Sequence, residues 1–214
     1  MKKVLILFSS LFILSGTHVS AFNLSVDVNE VIEQREETFA HNALIELFSG
    51  EWVVGEDISA GRYEITSTSS SGNFVVMNES NLPIVNEILG DNAFDMGVSS
   101  LTIDLSKGQI INISGMDDVL FTPMESSLKE DVLTAGTWIV GTDVKAGKYI
   151  ATTPKGSGNL VVASNSIPVV NEILTSDKDS SMGLGVEKVQ LSLKDGQVII
   201  VSGVNEVYLE LKGE

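Results

Sequence analysis

The sequence has no cysteine among its 214 residues, four prolines, two histidines, and only 13 basic residues against 29 acidic ones. The missing cysteine excludes disulfide staples, thiolate metal sites, a cysteine nucleophile and lipid attachment at an N-terminal cysteine. The shortage of basic residues leaves a formal charge of −16. Phosphate backbones and anionic membrane surfaces repel such a chain, so nucleic acid is not an expected partner. No cofactor is expected either. No Gly-rich loop precedes a helix in phosphate-binding form, and zinc is short of ligands. What is present is a globular composition, 43% hydrophobic and 20% charged, too apolar for a disordered chain.

Long apolar runs are scarce as well, with one at the N-terminus. Lys2 and Lys3 precede Val4 to Leu14, Ser15-Gly16 breaks the run, and Val19-Ser20-Ala21 places small residues before a cleavage point. This is the pattern of a secretory signal peptide over residues 1–21. The apolar stretch is too short to span a ~30 Å hydrocarbon core, which takes ~20 helical residues. Cleavage after Ala21 would remove two basic residues and no acidic one, taking the charge from −16 to −18. The C-terminus, Leu209 to Glu214, carries no hydrophobic tail. The expectation is a secreted protein, held to a cell surface only non-covalently and not inserted in a membrane after cleavage. Export without cysteine points to a bacterium.

The rest of the chain repeats itself. GEWVVGEDISAGRYEITST (residues 50–68) returns as GTWIVGTDVKAGKYIATTP (residues 136–154), with Gly50, Trp52, Val54, Gly55, Asp57, Ala60, Gly61, Tyr63 and Thr66 all recurring. Ser71-Gly72-Asn73 returns as Ser157-Gly158-Asn159, PIVNEIL from Pro83 as PVVNEIL from Pro168, and GQIINISG from Gly108 as GQVIIVSG from Gly196. The organisation expected is a signal peptide (1–21), an acidic helical or stalk segment (22–49), a first module (50–124), a linker (125–135) that lets the modules dock or swing, and a second module (136–214).

Each unit reads mainly as strands. Leu101 to Leu105 and Val189 to Leu193 alternate apolar and polar, the period of a half-buried strand. Ser106-Lys107-Gly108 and Lys194-Asp195-Gly196 fit tight hairpin turns. Asp57 and Asp143 can cap the EDISA and TDVKA turns, and Gly61 and Gly147 allow the backbone to reverse there. Pro83 with Ile84, Val85, Ile88 and Leu89 predicts one or two helical turns. Upstream, Val28, Ile32, Phe39, Ala43 and Leu47 fall near helical spacing among glutamates. The predicted fold class is mainly β: two tandem small antiparallel β-sandwich or barrel modules, each with a short helical turn, behind an acidic helical segment.

The string Trp52-x-Val54-Gly55-x-Asp57-Ile58-x-Ala60-Gly61-x-Tyr63 and its return at Trp138 resemble a repeat found in exported and surface β-modules of Gram-positive bacteria and their phages. The resemblance covers both units. Ser59 and Lys145 stand where that repeat usually has proline, which loosens the turn without removing its aspartate or glycine. The resemblance implies a secreted or surface β-module and no particular activity.

Candidate chemistry is sparse. The single histidine of the mature chain, His41, lies outside both repeats, and no G-x-S-x-G elbow accompanies it. Asp177-Lys178-Asp179-Ser180-Ser181 opens like a calcium loop, but Met182 and Lys188 occupy the positions that need Gly and Glu, and Asp91 to Asp95 does not keep the spacing. Asn86-Glu87 and Asn171-Glu172 are polar within apolar runs, suited either to bonding a neighbouring loop or to lining a ligand groove. Trp52/Tyr63 and Trp138/Tyr149 flank one turn in each unit; such pairs either fill a core or, exposed, stack on a sugar ring. The expected function is therefore non-enzymatic binding at a cell surface or in the medium, to a cell-wall or host glycan or to a surface protein. The alternatives are a small secreted hydrolase or hydrolase inhibitor, and a structural spacer.

Overall fold

The computed structural model describes residues 3–5, 25–27, 31–33, 35–36, 43–68, 71–90, 97–129, 131–165, 167–177 and 184–212. The protein is mainly β. Near the N-terminus β1 (Lys3–Leu5) pairs antiparallel with β2 (Ser25–Asp27). Residues 31–33 and 35–36 are helical. The segment expected to be an acidic helix or stalk thus contains, besides these helical residues, a strand at 25–27 and another at 45–47, where Ile45 and Leu47 alternate with Glu46 and find an apolar sheet to lie against.

The first half follows as β3 (Ile45–Leu47), β4 (Gly50–Val53), β5 (Gly61–Ser67), β6 (Gly72–Met77), β7 (Pro83–Leu89), β8 (Ser100–Leu105), β9 (Ile110–Ser114) and β10 (Val119–Pro123). Strands β4-β9-β6-β7 form one sheet and β3-β10-β5-β8 lie in another. Between them pack Tyr63, Ile65, Phe74, Leu101, Ile111 and Phe121, all essentially without solvent contact. The second half comprises β11 (Val132–Ile139), β12 (Gly147–Thr152), β13 (Ser157–Ser164), β14 (Ile167–Thr175), β15 (Val189–Leu193) and β16 (Val198–Leu211). It keeps the same pairings with fewer, longer strands. Long β16 plays the parts of β9 and β10: its start pairs with β13 and its end with β12. Likewise β11 does the work of β3 and β4, shifting register between Thr134 and Gly136. A second core forms here from Trp138, Tyr149, Leu160, Leu191, Ile199 and Val207.

PIVNEIL is strand in both halves, not helix. Asn86 lies opposite Val75 and Glu87 opposite Phe74, and Asn171 and Glu172 lie opposite Val161 and Leu160. β-Branched Ile84 and Val85 favour the pleat. Pro83 begins an edge strand, where its missing N–H costs no ladder bond. A bulge opposite Val76 and Met77 shifts the alternation and produces the apolar spacing that imitates a helix face.

The two Gly turns are tight but are not hairpins. Gln109 N–H donates to Ser106 O at 3.2 Å and Gly108 adopts φ 84°. Strand β8 pairs with β5 whereas β9 pairs with β4 and β6, so the turn carries the chain from one sheet to the facing one. Gly196, at φ 79°, does the same between β15 and β16. In the EDISA and TDVKA turns the left-handed positions are Gly55 and Gly141, both at φ 93°. Gly61, at φ 152°, holds a positive φ that favours glycine as the chain enters β5, whereas Gly147 has no positive φ and simply begins β12.

The halves are docked. β11 runs parallel to β8, with Ala135 opposite Leu101 and Gly136 opposite Thr102, so one sheet continues from the first half into the second. Ala135 is fully buried within the first core. The linker is pinned by Lys129 N–H to Asp143 O at 2.6 Å and by Leu209 N–H to Asp131 O at 2.7 Å.

Candidate functional site

The residue types that define the repeat spend their polar atoms on their own main chain, identically in both halves. Trp52 Nε1–H donates to Phe48 O and Trp138 Nε1–H to Thr134 O, each at 3.0 Å. Asp57 accepts from Val53 N–H at 2.7 Å and Asp143 from Ile139 N–H at 2.8 Å. Tyr63 O–H donates to Ser59 O and Tyr149 O–H to Lys145 O, each at 3.0 Å. Gln109 and Gln197 accept from Ser106 N–H and Lys194 N–H at 2.9 and 2.8 Å. Aspartate and tyrosine thus clamp both ends of one turn, and the turn holds the two sheets together.

The aromatic pairs are not a stacking platform. Tyr63 is 0% exposed, Trp138 2% and Tyr149 5%; a sugar ring cannot reach faces covered by the core. Tyr63 meets Phe121 edge-on at 6.0 Å, and burial pushes its hydroxyl up to about 12. Trp52 alone of the four is half-buried.

The densest concentration of chemistry lies where the halves meet. Arg35, from the helical stretch before the first half, has a fully buried side chain. Its Nε and Nη2 donate to the two carboxylate oxygens of Asp104 at 2.5 and 2.6 Å. Its Nη1 donates to Asp143 Oδ1 at 2.9 Å and to Ser126 Oγ at 3.3 Å. Arg62 donates through Nη1 to Asp104 Oδ2 at 3.0 Å and through Nη2 to Thr137 O at 2.9 Å. Its Nη2 also lies 3.6 Å from Asp143 Oδ2, and its guanidinium sits 4.9 Å from the centre of the Trp138 ring. Two cations and two anions from four parts of the chain therefore neutralise one another, with Asp104 alone partly open to water. Burial works against the charge on Arg35, but the hydrogen bonds and charges of Asp104 and Asp143 outweigh it and hold its pKa above the ordinary value. For Arg62 burial prevails, with Arg35 adding to it, and its pKa is lowered. A paired cluster of this kind fixes geometry more than it adds net stability.

The two Asn-Glu pairs do not form equivalent sites. Glu87 is 8% exposed and accepts from Gly203 N–H of β16 at 3.3 Å. Burial pushes its carboxyl up to about 7, opposed by hydrogen bonds from Ser202 and Gly203. Glu172, Asn86 and Asn171 are exposed. Glu87 thus belongs to the junction rather than to a groove shared by both halves. Beside it Ser99 N–H donates to Asn205 Oδ1 at 2.6 Å, another contact between halves.

Among the described residues, no group of three His, Asp or Glu side chains is placed to hold a metal ion. His41, Asp91 to Asp95 and residues 178–181 of the acidic loop lie outside the described residues. No described helix is long and apolar enough to cross a membrane.

Sequence reasoning missed Arg35, Arg62 and Asp104. A signal was present: Arg35 and Arg62 are the only arginines in the chain, every other basic residue being lysine. Guanidinium, with its planar fork, is the cation suited to buried carboxylate pairs. Neither a protein-family profile nor a curated protein matches this chain.

Proposed function

We propose that this is an exported, non-enzymatic protein that acts by binding another protein through its second half. One observation carries this reading. Strand β14 is an edge, hydrogen-bonded among the described strands to β13 alone, and it presents Ile167 and Val169 at 67% and 55% exposure. Its outer side is bonded to Val186 at Ile173 and Thr175, and among the described residues the stretch from Ile167 to Asn171 has no such partner. An edge of that kind with bare apolar side chains is a place where another chain adds. In the first half the residue equivalent to Val169, Ile84, is 3% exposed. The burial of Tyr63, Trp138 and Tyr149 favours a protein over a glycan as the ligand. Glu87, drawn into the junction, takes away the paired carboxylates a duplicated hydrolase site would use. Export rests on the basic, apolar and small-residue order of residues 2–21, and cleavage after Ala21 would separate β1 from β2.

The test is a photo-crosslinking residue at position 169 in the full chain, activated in a producing culture. The expected result is crosslinking to one protein species, lost when Glu172→Arg is added on the same strand. Absence of any crosslink at 169 would remove the reading. A spacer role is favoured by a different observation, the pairing of β11 with β8, which continues one sheet from the first half into the second.

A further inference from the structure

We infer that the partner of the β14 side is a second copy of this chain, docked head to tail so that the contact made between the two halves within one molecule is repeated between molecules. This rests on the reading of β14 as an interaction surface and names its occupant. The internal contact is heterologous: the first half offers its β7–β8 side, and the second half offers the corner of β11 and β16. Both halves are built on one plan. The second half therefore carries its own version of the receiving side, between β14 and β15, and the first half its own version of the inserted corner.

Equivalent residues show which surfaces are left over. Glu87 receives Gly203 N–H inside the molecule and is buried; its counterpart Glu172 is exposed, as Val169 is where Ile84 is buried. Gly136 must be glycine, because a Cβ there would lie 1.9 Å from Thr102 O. Its counterpart Gly50 is exposed, and a Cβ there would meet only Trp52 and Phe48, at 3.6 Å or more. Its φ of 156° already favours glycine, and the open space beside it leaves room for a second copy's β15. The charges agree as well. Arg62 beside Asp143 in the internal contact becomes exposed Lys148 beside exposed Asp57 in the outer one.

The outer contact is the weaker of the two. It has no counterpart of Arg35, and it brings Glu187 to Asp117 where the internal contact has Ser99 bonded to Asn205. Those two carboxylates and the net charge of −16 oppose association at low ionic strength, and salt relieves them. A heterologous contact that does not close generates open chains rather than dimers.

Sedimentation of the full chain tests this, from about 10 µM to about 1 mM, in low and high salt. The weight-average mass is expected to climb past that of a dimer without a plateau, and to climb further in high salt. Two variants block one end each: Ser49→Arg, at the counterpart of buried Ala135, and Val169→Arg, at the counterpart of buried Ile84. Both positions are exposed. Ser49→Arg gives up the hydrogen bond from Ser49 Oγ to Met116 O, so circular dichroism and the unfolding midpoint of each variant are compared with the parent before its mass is read. Each variant alone is expected to remain monomeric, and a mixture of the two to form a dimer and nothing larger. A plateau at the dimer in the parent chain, or continued growth of either single variant, overturns the proposal. A parent chain monomeric throughout, whose crosslinker at 169 still captures one different protein, overturns self-association while the binding reading stands. Monomer with no capture removes both.

Discussion

Arg35 Nη1 donates to Asp143 Oδ1 at 2.9 Å across 108 positions of sequence, joining the segment before the first half to a turn of the second. Asp143 is also the capping residue of that turn, through Ile139 N–H, so one carboxylate both shapes its own half and receives the other. Removing Arg35 leaves buried Asp143 and half-buried Asp104 facing Arg62 alone. Arg35→Ala is therefore expected to cost about 3–5 kcal/mol in denaturant unfolding. Asp104→Ala in the same background should add less than it costs alone, because the two share one network. Additive losses would show that the contact is not a unit.

Gly136 separates packing from backbone freedom. An added methyl would meet Thr102 O at 1.9 Å and force β11 away from β8. Gly136→Ala is expected to destabilise by about 3 kcal/mol or more, as overpacking against main chain does. Gly50→Ala, at the equivalent open position, should cost only about 1 kcal/mol or less, from its backbone conformation. Equal losses at the two sites, read from midpoints of chemical unfolding, would deny the close approach.

Glu87 makes stability depend on pH. Burial raises its carboxyl from an ordinary 4.5 to about 7 in the folded protein. Between those values the folded state holds a proton that the unfolded state has released. The contribution is therefore full below about 4.5 and declines as pH rises, levelling off above about 7. Glu87→Gln stays neutral throughout. Relative to the parent it should gain about 3 kcal/mol between pH 4.5 and pH 8. Parallel pH profiles for parent and variant would show that Glu87 is not the group responsible.

The structure also explains which parts of the molecule are legible in the sequence. Alternation in Leu101 to Leu105 marks a strand because one face meets a core and the other does not. Asp57 and Asp143 read as turn caps because the contact spans four residues. PIVNEIL misleads because a bulged edge strand and a helix face can share the spacing i, i+1, i+4, i+5, and the bulge is set by the partner strand. The Ser106 to Gly108 turn is visible, but whether it makes a hairpin or crosses between sheets depends on which strands pair, which no local pattern states. The junction is the least legible part, since it assembles Arg35, Arg62, Asp104 and Asp143 from distant positions. Only the scarcity of arginine hints at it.

The two tryptophans give an optical report on the junction. Trp138 is 2% exposed and lies under the Arg62 guanidinium, whereas Trp52, with the same hydrogen bond to its own backbone, is half-buried and lacks that cation. Trp52→Phe leaves Trp138 as the sole emitter, and its fluorescence should be blue-shifted and resist acrylamide. Trp138→Phe leaves Trp52, which should emit further to the red and quench readily. The stabilities should diverge too. Loss of the Trp138 ring empties core volume and removes the cation–π contact, for about 2–4 kcal/mol, while Trp52→Phe should cost about 1 kcal/mol. Adding Arg35→Ala to Trp52→Phe loosens the junction above the remaining indole. Its emission should then shift to the red and quench more readily while the rest of the protein stays folded; an unchanged spectrum would place Trp138 outside the reach of the Arg35 contact.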